Sequence, residues 1–155
     1  MINKKLKKGF SIIELLMSLA IIGLLTTIIL TSFVSFRKNQ SLSKDTETIV
    51  ETLRQARNQT LSSKNSSNYG VHIESSKIVL FTGSTYVVNT ASNQEFILNS
   101  TDNILSITLA GGGSEVVFNR LTGETSQNGT VVVSSAGISK TKTVTIYKTG
   151  VIESQ

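Results

Sequence analysis

Cysteine and proline are both missing from the 155 residues. Without cysteine there is no disulfide framework, no thiolate metal site and no thiol nucleophile, although this leaves the cellular compartment open. Without proline no helix in the chain can owe a bend to a pyrrolidine ring. Histidine occurs once, at His72, inside an apparent strand, where it reads as an outward strand residue rather than a base or ligand. Aromatic residues are only 6% of the chain, and three of the six phenylalanines fall in one apolar run, which removes a stacking platform for single-stranded nucleic acid. Charged residues are 16% against 39% hydrophobic, a balance that excludes a disordered tail and calls for a folded domain. The acidic residues are scattered without a calcium-loop pattern, and Gly111-Gly112-Gly113-Ser114 lacks the Lys-Ser/Thr ending of a phosphate-binding loop. No catalytic set, metal site or cofactor site emerges, and the chain is expected not to be an enzyme.

The charge that is present is unevenly placed. Of fifteen Lys and Arg residues, Lys4, Lys5, Lys7 and Lys8 precede Gly9, and removing residues 1–9 leaves a side-chain balance of 11 − 10 = +1. The basicity belongs to the N-terminus rather than to a nucleic-acid-binding face, and no nucleic-acid partner is favoured. From Phe10 to Phe36 run 27 residues with one ionisable group, Glu14, and Arg37 and Lys38 close the run. As a helix this stretch extends roughly 40 Å, enough for a hydrocarbon core of about 30 Å. The four leading lysines keep the N-terminus on the cytoplasmic side, so everything after Arg37 is exported: single-pass, N-in and C-out. The run is too long for an ordinary secretory signal, and Thr26, Thr27, Thr31, Ser32 and Ser35 offer no small-residue cleavage site, so the segment is expected to be kept.

Glu14 is the costly residue, because a carboxylate in an apolar helix costs about 2.5–3.5 kcal/mol on insertion scales. Either it sits shallowly among headgroups, or a cation appears beside it. Cutting the Gly9–Phe10 bond would create an α-amino group on Phe10, about one helical turn away, and in a bundle Glu14 could meet the same amine of a neighbouring chain.

Lys8-Gly9-Phe10-Ser11-Ile12-Ile13-Glu14, followed by Leu15-Leu16-Met17-Ser18-Leu19-Ala20-Ile21-Ile22-Gly23, resembles the type IV prepilin (class III signal) motif. The resemblance implies a leader ending at Gly9, cutting by a prepilin peptidase, N-methylation of Phe10, and an assembly role for Glu14. It departs from many pilins at Thr31, where they carry a kinking proline.

Beyond Arg37 the helix is expected to continue to residue 61 with a changed chemistry. Leu42, Thr46, Ile49, Leu53, Ala56 and Thr60 recur at three- and four-residue steps, while Lys44, Asp45, Glu47, Glu51, Arg54 and Arg57 fall largely on other faces. Arg54 and Arg57 are expected on a solvated face or in local pairs with Glu47 and Glu51. Residues 62–68 read as a loop. Then come β-type runs at 69–73, 77–81, 85–88, 95–98, 104–109, 115–118, 130–133 and 143–147, with a short one at 151–152, separated by Gly-bearing turns. About 94 residues make a small core without disulfides, so the apolar stripe of the helix is expected to complete it. The fold class is α+β, a pilin-like fold in which a long N-terminal helix, transmembrane in its first half and amphipathic in its second, packs on an antiparallel sheet or sandwich. The organisation is a 1–9 leader, a 10–36 transmembrane and assembly helix, a 37–61 amphipathic continuation and a 62–155 exported β-rich domain.

The exported part also resembles the GspH/FimT domain of minor pseudopilins. The similarity rests on Leu53-Arg54-Gln55-Ala56-Arg57-Asn58-Gln59-Thr60, the valine-rich strand with Phe118, the Leu121-Thr122-Gly123 turn and the terminal Val144–Ile152 stretch. It implies a structural subunit of a type II secretion pseudopilus. Its partners would be a prepilin peptidase, other pilin-like subunits through the N-terminal helix, membrane lipid before assembly, and an assembly ATPase indirectly. The helix would rest in the bacterial inner or cytoplasmic membrane, with the domain in the periplasm or outside the cell. The tail from Tyr147 to Gln155 has no arginine pair, so DNA uptake is not supported. Two other readings stay open: a type IV or competence pilus subunit, and a membrane-tethered carbohydrate- or protein-binding domain that never polymerises.

Overall fold

Fifty residues of unbroken apolar or amphipathic helical pattern form one element, helix α1 (Ile12–Leu61), in the computed structural model, which describes residues 9–155. The chain divides into two compact units after Phe36. In the first, every large apolar side chain from Phe10 to Phe36 is exposed. The hydroxyls of this run are satisfied within the helix: Ser18, Thr26, Thr27, Thr31, Ser32 and Ser35 each donate to a carbonyl one turn earlier, at 2.7–3.3 Å. Such back-bonding is how a Ser/Thr-bearing helix enters hydrocarbon without bare polar groups.

In the second unit, the stripe Leu42, Thr46, Ile49, Leu53, Ala56 and Thr60 is buried along its whole length. Its weaker members hold their place by hydrogen bonds. Thr46 donates to the Leu42 carbonyl at 2.7 Å and Thr60 to that of Ala56 at 2.9 Å, and the Thr60 hydroxyl accepts the Tyr69 N–H at 3.0 Å. That last bond fixes where the chain enters its first strand, after a 3₁₀ turn at Lys64–Ser66.

Eight strands follow: β1 (Tyr69–Ile73), β2 (Lys77–Thr82), β3 (Gln94–Ile97), β4 (Asp102–Leu109), β5 (Glu115–Phe118), β6 (Gly129–Ser135), β7 (Thr141–Ile146) and β8 (Ile152–Ser154). They form two antiparallel sheets, ordered β3-β2-β1-β5 and β4-β6-β7-β8. Alternation decides which side chains face inward: Val131 and Val133 of β6 and Val116 and Phe118 of β5 are buried while their neighbours are partly open. These residues join the helix stripe in a single apolar cluster, as the small size of the β domain requires. A register shift between Ile104 and Ser106 leaves Leu105 outside the pairing and exposed.

The structure corrects one strand. Residues 85–88, apolar enough to suggest pairing, are irregular. After Gly83 at φ +121° the chain leaves the sheet plane and crosses its outer face. There the Tyr86 N–H donates to Glu115 Oε2 at 3.3 Å, and the Tyr86 ring stacks on His72 with centroids 4.1 Å apart. His72 is therefore outward from the main core, as its strand position predicts, but half-covered by an aromatic lid. Phe81 and Val79 complete this small outer layer, and Gly70 is required beneath the Phe81 ring because a Cβ there would meet Phe81 Cζ at 2.6 Å.

Candidate processing and assembly site

The residues singled out for processing begin the described chain. Gly9 and Phe10 are exposed and precede the helix, and Phe10 is 82% accessible. An uncovered, non-helical peptide is the form a protease can accept, since a helical bond is closed off by its own hydrogen bonding. Lys4, Lys5, Lys7 and Lys8 lie outside the described residues.

Glu14 occupies the first turn of α1 and is exposed. Ser11 stands at the N-cap position, and its carbonyl accepts the Leu15 N–H at 3.1 Å. Ser11-Ile12-Ile13-Glu14 thus has the S-x-x-E spacing of a capping box, a signal in the sequence beside the hydrophobic one. The free N–H groups and dipole of a helix start favour a carboxylate there by about 0.3–1 kcal/mol. That is well short of the roughly 2.5–3.5 kcal/mol that immersion in hydrocarbon costs. Within the described residues no ion pair is made by Glu14.

The second unit ties its part of α1 to the sheets through polar contacts that the sequence pattern did not reveal. Asp45, on the flank of the apolar stripe, is 8% exposed and accepts the Asn99 N–H. It faces Asp102, which is 4% exposed and accepts from Ser41 Oγ at 2.7 Å and Thr101 Oγ1 at 3.2 Å. Burial pushes the Asp45 carboxyl above its usual range; the Asn99 N–H opposes this in part, the Asp102 carboxyl adds to it, and Lys44 opposes it least. At the other end of the helix Arg54 is exposed, on the solvated face that was one expectation, while Arg57 is half-buried, and carbonyl clamps stand in place of pairs with Glu47 and Glu51. Arg54 donates to the Ile152 carbonyl at 3.2 Å, and Arg57 to those of Gly123 at 3.2 Å and Thr149 at 3.4 Å. Gly123 and Gly150 adopt positive φ, and a Cβ on Gly150 would strike the Gly123 carbonyl, so both turns need glycine to close around Arg57.

Two other polar clusters surround His72 and Lys77. His72 Nδ1 stands 3.5 Å from Glu115 and Nε2 3.8 Å from Glu74, while Lys77 bridges Glu95 and Glu74 at 3.1 and 3.6 Å. Among the described residues no three His, Cys, Asp or Glu side chains converge as a metal would need. What the molecule presents instead is a helix of which one 18-residue window is apolar enough to cross a membrane and wholly uncovered.

Comparison with known proteins agrees with this division. The model of the prokaryotic N-terminal methylation motif matches residues 4–30. No curated protein matches the chain. Two solved structures, both of the minor pseudopilin EpsH from the type II secretion system of Vibrio cholerae, share its fold. One has a TM-score of 0.56 at 13% identity over 74% of this chain and 93% of that one. The other has a TM-score of 0.53 at 12% identity over 74% and 96%. The chain therefore joins a prepilin-type N-terminal methylation motif to a pilin-like α+β fold of the minor-pseudopilin kind.

Proposed function

We propose that this chain is a structural minor pseudopilin of a type II secretion system. A prepilin peptidase cuts between Gly9 and Phe10 and the new Phe10 amine is methylated. The helix waits in the inner membrane with its N-terminus in the cytoplasm, then passes from lipid into a bundle of neighbouring pilin-like helices. Glu14 guides that transfer by pairing with the Phe10 amine of an adjacent subunit, while the exported domain recognises neighbouring subunits. The work of extraction comes from a separate ATPase.

The observation that carries this reading is the uncovered apolar surface of α1 from Phe10 to Phe36, headed by one carboxylate, on a fold shared with a minor pseudopilin. Such a surface needs lipid or other helices around it. A tether needs only the first; the methylation motif and Glu14 favour both in succession. Glu14→Ala tests the proposal. It should insert in the membrane as well as the parent, or better, and fail to enter filaments built with the other subunits of the system. Normal incorporation of Glu14→Ala would remove the carboxylate from the mechanism.

A further inference from the structure

We propose that the membrane-proximal end of the exported domain is a docking surface for the phosphate groups of anionic phospholipids, formed by Arg37 and Lys38 of α1 together with Lys140 and Lys142 of the β6–β7 hairpin. The inference rests on the membrane-spanning reading of residues 10–36 and extends it to the folded domain. Arg37 follows the apolar run directly, and at a helical rise of about 1.5 Å per residue Arg37 and Lys38 fall within the headgroup layer, which is about 5–8 Å deep. The hairpin is brought to the same level. Lys38 lies against its turn, where a Cβ on Gly137 would meet Lys38 Nζ at 2.6 Å, and Gly137 holds φ +76°. The Ala136 N–H donates to the Thr101 carbonyl at 2.7 Å, which anchors the turn from its other side. Lys140 is exposed at the turn, and Lys142 is half-buried opposite Val133.

Little among the described residues offsets this charge. Asp45 and Asp102, packed nearby, are buried and engaged with Asn99, Ser41 and Thr101, and the Gln155 main-chain oxygen, near Lys142, accepts the Thr143 N–H at 3.1 Å. Ion pairs within 4.0 Å among the described residues gather around His72 and Lys77 instead. Lys44, about two turns beyond Arg37, is exposed and adds a further positive charge, and Glu47 is the first exposed carboxylate of the helix after Arg37. Basic side chains at an anionic surface are attracted over roughly a Debye length of 8–10 Å, which spans the cluster. Continuity with the apolar run favours the lipid surface over the acidic face of a second copy.

The absence of native cysteine gives a clean test in the full-length protein. A Ser139→Cys reporter on the exposed turn is labelled with a fluorophore, and the protein is reconstituted into vesicles of phosphatidylcholine alone or mixed with phosphatidylglycerol, each doped with headgroup spin-labelled lipid. Flotation of the same samples reports anchoring. Quenching should be stronger in the phosphatidylglycerol vesicles and weaken in high salt. Lys140→Gln with Lys142→Gln should lower the ratio of headgroup-bound to free hairpin roughly 20- to 30-fold, at about fivefold per basic side chain. Equal quenching in both lipids by a protein that floats would overturn the lipid surface and leave the anchor standing, whereas failure to float would remove the anchor and this inference together. Energy transfer between labelled copies that ignores lipid charge and vanishes in the double variant would assign the surface to a second subunit, contradicting the proposal.

Discussion

Asp45 and Asp102 place two carboxyl groups face to face between the helix and the start of β4, and this fixes the sign of a pH effect. The folded-state pKa of Asp45 is raised above 3.8, chiefly by burial and then by Asp102. The folded protein therefore holds that proton more tightly than the unfolded chain. The contribution is fully present below about pH 3.8 and is lost as pH rises through the raised folded value. Asp45→Asn keeps the shape and an acceptor for the Asn99 N–H without the charge. Its unfolding midpoint should exceed that of the parent at pH 8 and converge with it toward pH 4; an equal difference at both pH values would separate Asp45 from the effect. Glycine carries a second residue-scale prediction. Gly150→Ala should cost more than about 1 kcal/mol by denaturant titration, because φ +77° is strained for alanine and the Gly123 carbonyl occupies the space.

Helix α1 shows which information was readable before the structure. Its inward stripe followed from three- and four-residue spacing alone, since Leu42, Ile49, Leu53 and Ala56 are apolar and Thr46 and Thr60 keep the period. Leu53→Ala should destabilise the second unit by about 2–5 kcal/mol, with no change in membrane retention; a loss below about 0.5 kcal/mol in melts of the whole chain would place the helix outside the core, on the scale set for exposed sites. The Asp45–Asp102 contact was hidden because a buried carboxyl on the stripe's flank looks like any surface acid until its partner, 57 residues on in sequence, is placed beside it. The Arg57 clamp was hidden for a related reason: its acceptors are backbone carbonyls at glycine turns, which leave no mark of charge. Residues 85–88 misled because Tyr-Val-Val satisfies strand composition, while the interaction that removes Tyr86 from the sheet is a stack on a lone histidine. Tyr86→Ala should uncover His72 and quicken amide exchange at residue 86, leaving β1 and β2 protected; unchanged exchange would show that the loop does not depend on the stack.

At the scale of the whole molecule, two environments meet in one chain. The second unit satisfies its helix with two sheets, whereas the first leaves an apolar surface that it does not cover. The fold class and the composition of the N-terminal run were both legible in sequence because hydrophobic periodicity and run length are one-dimensional properties. The account as a whole depends on a membrane helix released for assembly by one cut. Intact-mass and N-terminal peptide analysis of the protein isolated from its native membrane tests that most directly: the account predicts a chain beginning at N-methylated Phe10, and a functional protein still beginning at Met1 would contradict it.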